Sequence, residues 1–118
     1  MNENILKEKS FQFALRIVNL YKFLCNEKKE FVLSKQLLRS GTSVGSNIRE
    51  AQNAESKNDF IHKLSISQKE CDETMYWLEL LNQSKYLTDT EFASIHNDAN
   101  EILKMLRSAI ITSKQKKS

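Results

Sequence analysis

Proline is absent from this chain of 118 residues and glycine occurs only twice, so the residues that break helices and shape the tight turns of β-rich folds are nearly missing. Long helices are the expected consequence. Cysteine is equally scarce, with Cys25 and Cys71 alone. Cys25 falls near the end of the first predicted helix and Cys71 near the middle of the third. In an up-down bundle those heights differ by roughly 15 Å at about 1.5 Å per residue, whereas a disulfide needs Cα atoms within about 7 Å. Two reduced, largely buried thiols are therefore expected, as suits a cytoplasmic protein. No apolar stretch approaches the run of about eighteen residues that a membrane span requires, and Glu3, Lys7, Glu8 and Lys9 occupy the place of an apolar signal core. The expectation is a cytoplasmic chain with no membrane partner.

What is present is globular. Hydrophobic residues make up 40% and charged residues 28%, which excludes the low-hydrophobicity, charge-rich composition of disorder. The length suits one domain over residues 1–118 with one core. The net charge of +3 is small, but it is unevenly spread. Residues 1–58 hold ten Lys/Arg against six Asp/Glu, residues 59–113 hold five against nine, and the tail 113–118 is basic through Lys114, Lys116 and Lys117.

Four periodic segments follow one another. Phe13, Ala14, Ile17, Leu20, Tyr21 and Leu24 recur at three- and four-residue steps, predicting a helix over about 10–26. Leu37, Leu38, Gly41, Val44, Gly45, Ile48 and Ala51 predict a second over about 30–53. Ser56 and Asp59 have the spacing of a capping box, with Asp in the place of Glu, and open a third helix over about 57–83 through Phe60, Leu64, Cys71, Leu78 and Leu81. Thr88 and Glu91 form a cleaner box ahead of Phe92, Ile95, Ala99, Ile102, Leu103 and Leu106, a fourth helix over about 89–112. Short connections place consecutive helices side by side, so the expected fold is all-α, an antiparallel up-down-up-down four-helix bundle.

The segment from Arg39 to Glu50 departs from routine because it puts both glycines in the middle of a predicted helix, where each costs about 1 kcal/mol relative to alanine. Gly41 and Gly45 lie four apart, hence on one face, and point to close packing within the bundle or at a subunit interface. A phosphate-binding glycine loop does not fit, since no Gly-Lys-Ser/Thr ending and no preceding strand is present. A helix-turn-helix break within Ser40–Ser46 competes with an apolar register at 37, 41, 44, 48 and 51 that runs through unbroken. Arg39 and Arg49 flank this stretch. Each has two readings, a phosphate contact or an ordinary ion pair on a solvated face.

No catalytic or metal constellation stands out. A di-metal bundle needs Glu-x-x-His pairs on two helices; only Asp59 and His62 approach that spacing, and His96 has no acid one turn before it. No Ser or Cys sits in a nucleophile signature, and no cofactor is expected. Tyr76 and Trp77 lie on a helix dense in Met75, Leu78, Leu80 and Leu81, so Trp77 is read as core or subunit interface.

Three stretches, Arg39–Ala51 (RSGTSVGSNIREA), Glu55–Lys63 (ESKNDFIHK) and Lys69–Leu78 (KECDETMYWL), occur in an order that resembles the 23S rRNA-intervening-sequence protein family. The likeness covers roughly Ser10 to Thr112. It implies the up-down bundle, a homo-oligomer in the form of a cyclic pentamer, and a role with nucleic acid; a similar bundle is the accessory protein of diversity-generating retroelements, which is basic and works with RNA. This chain is only weakly basic by comparison. A basic first half and an acidic second half also permit head-to-tail contacts that close into rings. Arg39, Arg49, Lys35 and Lys57 are the expected nucleic-acid contacts, to RNA or DNA, repeated around such a ring. The competing expectation is a protein-interaction and assembly module without nucleic-acid contact.

Overall fold

Leu6, Ser10, Phe13, Ile17 and Leu24 form one continuous buried stripe, and that stripe winds the first helix, α1 (Glu3–Asn26). In this computed structural model, which describes residues 3–116, three more helices follow: α2 (Leu33–Gln52), α3 (Lys57–Gln83) and α4 (Asp89–Gln115). No strand occurs among the described residues. Helix α1 starts well before the expected residue 10 because Leu6 and Ser10 carry its apolar face back by more than a turn. Helix α4 runs past residue 112, since nothing in Ser113, Lys114 or Gln115 breaks it; Lys117, at the end of the basic tail, lies outside the described residues.

The starts of the helices differ in chemistry. The connection before α2 is capped by Glu30, whose carboxylate accepts hydrogen bonds from the amides of Val32, Leu33 and Ser34 at 3.1, 2.9 and 2.7 Å. The expected start near residue 30 thus corresponds to a side-chain cap lying outside the helix. At α3 the Ser56 hydroxyl accepts from the Asp59 amide at 3.0 Å, while the Asp59 carboxylate accepts from the amide of Glu55, so only half of the box forms. At α4 the box is complete: the Glu91 amide donates to Thr88 Oγ1 and the Thr88 amide donates back to the Glu91 carboxylate. Helix α3 ends in a Schellman motif, with the Tyr86 amide on the Leu81 carbonyl, the Lys85 amide on the Asn82 carbonyl, and Lys85 itself left-handed at φ 74°.

Among the described residues each helix has two close neighbours: α1 packs on α2 and α4, and α3 packs on α2 and α4. Residue pairs across the seams run in opposite sense. Glu50 meets Lys63, Val44 meets Ser67 and Ser40 meets Thr74 between α2 and α3, while Glu79 meets His96 and Cys71 meets Ala99 between α3 and α4. These pairings are consistent with the up-down-up-down order expected from the short connections. The body measures 50 × 21 × 19 Å, and its axis is filled by Ile17, Leu24, Leu37, Leu64, Leu78 and Leu106.

Helix α2 passes unbroken through the small-residue stretch, which removes the helix-turn-helix alternative. The glycines face α1. A Cβ on Gly41 would lie 2.8 Å from both Cγ1 and Cγ2 of Ile17, and one on Gly45 would lie 3.2 Å from the Ser10 carbonyl oxygen. Both side chains are omitted where the two helices come closest. Ser10, Ser34, Ser40, Ser67 and Thr74 are buried along these seams, and their hydroxyls bond to backbone carbonyls or to each other: Ser67 donates to Val44 O at 2.8 Å and Thr74 to Ser40 at 3.0 Å.

Candidate nucleic-acid interface

The residues expected to meet phosphate sit at different heights and in different company. Arg39, on the second turn of α2, donates through Nη1 to Glu70 Oε1 at 3.0 Å and through Nη2 to Glu73 Oε2. Trp77 Nε1 donates to the same Glu73 oxygen at 3.0 Å, and Tyr76 stacks edge-on against the indole at 5.1 Å. Two carboxylates therefore surround one guanidinium, and the seam between α2 and α3 is locally acidic. The Arg39 side chain is 50% exposed, so the ion pair contributes only about 0–1 kcal/mol. Its effect is electrostatic: a phosphate arriving here meets Glu70 and Glu73 together with the arginine.

Arg49 belongs to the other end of α2. Its guanidinium lies over the Phe11 ring, 5.9 Å from the centroid, at the edge of a groove of about 370 Å³ between α1 and α2 whose floor is Ala14 and Gly45. Lys57 opens α3 and donates to the Lys116 carbonyl, which ties the start of α3 to the end of α4. Lys35 is exposed in the first turn of α2 and takes part in no ion pair. Lys35 and Arg49 are about 21 Å apart along the helix axis at 1.5 Å per residue. Lys35 and Arg39 thus stand toward one end of α2 and Arg49 toward the other, with Lys57 at the start of α3.

Other charges are spent within the fold. Arg16 bridges α1 to α4 through Asp98 Oδ2 and Ser94 Oγ, both at 2.7 Å, beside a cleft of about 550 Å³. His96, which lacks an acidic partner on its own helix, finds one on α3, with Nε2 at 3.0 Å from Glu79 Oε2. That pairing depends on the register between two helices and had no local signal. Cys71 is buried against the Ala99 carbonyl at 3.2 Å; burial, reinforced by Asp72, pushes its thiol up to about 12. Both cysteines are free. Among the described residues no cluster of three or more His, Cys, Asp or Glu is placed to hold a metal ion, and no helix is long and apolar enough to cross a membrane.

Sequence reasoning passed over the end of the bundle formed by the α1–α2 and α3–α4 connections. Phe31 and Val32 are exposed there beside Lys28 and Lys29, and Lys28 and Lys85 line a common hollow. The signal was available as two consecutive lysines followed closely by two apolar residues in a predicted loop.

An all-helical four-helix fold, with a small-residue seam between α1 and α2 and basic side chains spread over its ends, defines the class. The chain belongs to the 23S rRNA-intervening sequence protein family, which it matches over residues 2–108. It is also similar to a crystal structure from Bacteroides thetaiotaomicron, a protein of unknown function from the S23 ribosomal protein family. The two are 61% identical with a TM-score of 0.92, over 93% of this chain and 98% of that one. No curated protein matches. Neither description names a catalytic activity.

Proposed function

We propose that this protein is a non-enzymatic, oligomeric, antiparallel up-down-up-down bundle that works as a nucleic-acid-associated scaffold in the cytoplasm, with RNA as its ligand and further copies of itself as its partners. The observation that carries the reading is the imbalance of ion pairing. Among the described residues Arg16, Arg39 and Lys63 are the Lys and Arg side chains that pair with carboxylates, beside His96 on Glu79. Lys35, Arg49 and the lysines of the connections are left facing solvent. A modest charge per protomer becomes a strong field when repeated around a cyclic pentamer. The family to which the chain belongs takes its description from an intervening sequence of 23S rRNA, which favours RNA over DNA.

Fluorescence anisotropy of the purified protein against a structured RNA and a duplex DNA of equal length, at low and at physiological salt, tests the reading. Phosphate contacts weaken steeply with salt; saturable, salt-sensitive RNA binding is expected. Absence of binding to either nucleic acid at low salt would refute it.

A second reading, assembly without nucleic acid, is favoured by the apolar outer surface of α1, where Phe11 and Leu15 are 49% and 45% exposed. An apolar contact of that kind holds at high salt, and light scattering gives the mass of the assembly directly.

A further inference from the structure

We infer that the bundle end built from the α1–α2 and α3–α4 connections is a binding site for a single-stranded polynucleotide, with Phe31 stacking on a base and Lys28, Lys29, Lys35 and Lys85 holding flanking phosphates. This rests on the nucleic-acid reading above and moves its principal contact away from the Arg39 and Arg49 surfaces.

The lysines at this end stand outside ion pairs because the acids nearby are engaged at helix starts, Glu30 in a buried position and Asp89 and Glu91 in exposed ones. Glu30 is buried and occupied with three amides of the next helix. Glu91 closes the Thr88 box, and Asp89 accepts from Asn82 at 2.9 Å. Helix capping thus holds these carboxylates in other hydrogen bonds, where they keep their charge but make no direct bridge to the lysines. Glu27 remains as the exposed acid of the first connection, and Glu91 lies within electrostatic reach of Lys28. Among the described residues no carboxylate forms an ion pair with Lys28, Lys29, Lys35 or Lys85.

Two features add recognition to charge. Phe31 is 59% and Val32 73% exposed, an aromatic face and an aliphatic neighbour within four residues of three of the lysines. Successive bases stack on such platforms whatever their identity. Between the two connections lies a hollow of about 560 Å³, lined by Lys28 and Lys85, by Tyr86 and by the acids Asp89 and Glu91, whose carboxylates can accept from the N–H edge of an unstacked base. A flat anionic bilayer would meet the lysines and Phe31 but leave this polar hollow unfilled, so a flexible strand fits better than a membrane.

Lys29 and Lys85 both hold positive φ, 55° and 74°, a conformation in which glycine is the unstrained residue. Lys29→Gly/Lys85→Gly therefore removes two charges without weakening the fold, and its melting temperature should equal or exceed that of the native protein. The experiment titrates fluorescein-labelled oligouridylate of about 12 nucleotides, the matching oligodeoxythymidylate, and vesicles of phosphatidylglycerol against the full chain and its variants. Phe31→Ala should weaken oligonucleotide binding about tenfold, as loss of one stacked base does. The double glycine variant should weaken it by a similar factor and flatten the salt dependence by about 1.4 in logarithmic slope. Arg39→Ala/Arg49→Ala should weaken binding less than either loop variant does.

Preference for RNA or for DNA within this pattern supports the site and identifies its sugar. Unchanged binding by the loop variants together with weakened binding by the arginine pair overturns the site while leaving the nucleic-acid reading intact. No binding by the native protein at low salt removes both. Phe31-dependent binding to vesicles without binding to either oligonucleotide overturns the inference in favour of a membrane contact.

Discussion

Replacing Gly41 by alanine sets two opposing effects against each other at a known distance. Alanine in a helix interior is favoured over glycine by about 1 kcal/mol. The added methyl would lie 2.8 Å from both γ carbons of Ile17, a fully buried residue whose β-branched side chain is held to one rotamer in a helix. Neither γ carbon can swing away without moving α1, so the overpacking cost falls toward the upper end of the usual range, about 3 kcal/mol. The net expectation is a loss of about 2 kcal/mol, or about 8 °C in melting temperature at roughly 2.1 cal/mol/K of unfolding entropy per residue. A double-mutant cycle isolates the cause. In an Ile17→Ala background both γ carbons are gone and the Cβ at position 17, 3.2 Å away, remains, so Gly41→Ala should become about neutral, a coupling of about 2 kcal/mol. The assay is urea unfolding followed by circular dichroism, with every variant at one protomer concentration because self-association would shift the apparent stability. Equal effects of Gly41→Ala in the two backgrounds would refute the close-approach explanation for this glycine.

Four further outcomes follow from the same contacts. At Gly45 the hypothetical methyl meets the Ser10 carbonyl at 3.2 Å, a milder approach, so Gly45→Ala should shift stability by less than half as much as Gly41→Ala in the same urea series. Burial alone would raise the Glu30 carboxyl, but the amides of Leu33, Ser34 and Val32 and the Ser34 side chain outweigh it and hold it below its ordinary value of 4.5. Its contribution is therefore present above about that pH and lost as pH falls through the lowered value; Glu30→Ala should cost about 2 kcal/mol at neutral pH and flatten the acid limb of the stability curve. Thr88→Ala removes a complete capping box and should cost about 1 kcal/mol, whereas Ser56→Ala, at a half-formed one, should cost less. With the Cys71 thiol at about 12 and fully buried, a thiol reagent at pH 8 should label Cys25 alone in the folded protein and both cysteines in urea.

Local patterns were enough to place the helices, and distance in the chain decides what escaped. The bounds of α3 and the start of α4 were legible because Ser56 and Thr88 announce them within a few residues. The beginning of α1 was hidden by a buried serine: Ser10 occupies a core position that a hydrophobic pattern does not count. Glu30 is not a usual capping residue, so the start of α2 was read slightly early. The charges depended on register. Whether Arg39 faces phosphate or carboxylate turns on Glu70 and Glu73, more than thirty positions away, and no local pattern brings them together. The exposed Phe31 and Val32 were visible as residues, but that they share one end of the molecule with Lys85 follows only from the way the two connections come together.

The ring of helices has a temporal consequence. Contacts α1·α2, α2·α3 and α3·α4 join neighbours in the chain, so each hairpin can collapse over a short loop, the condition for fast folding. Closure of α1 on α4 joins the two extremes of the sequence, must wait for the rest, and leaves a cleft of about 550 Å³ beside the Arg16 and Asp98 bridge. That seam should therefore be the first to open in the native bundle. Amides in the first turns of α1 and the last turns of α4 should exchange with solvent through local fluctuations, while those facing Leu37, Leu64 and Leu78 wait for global unfolding.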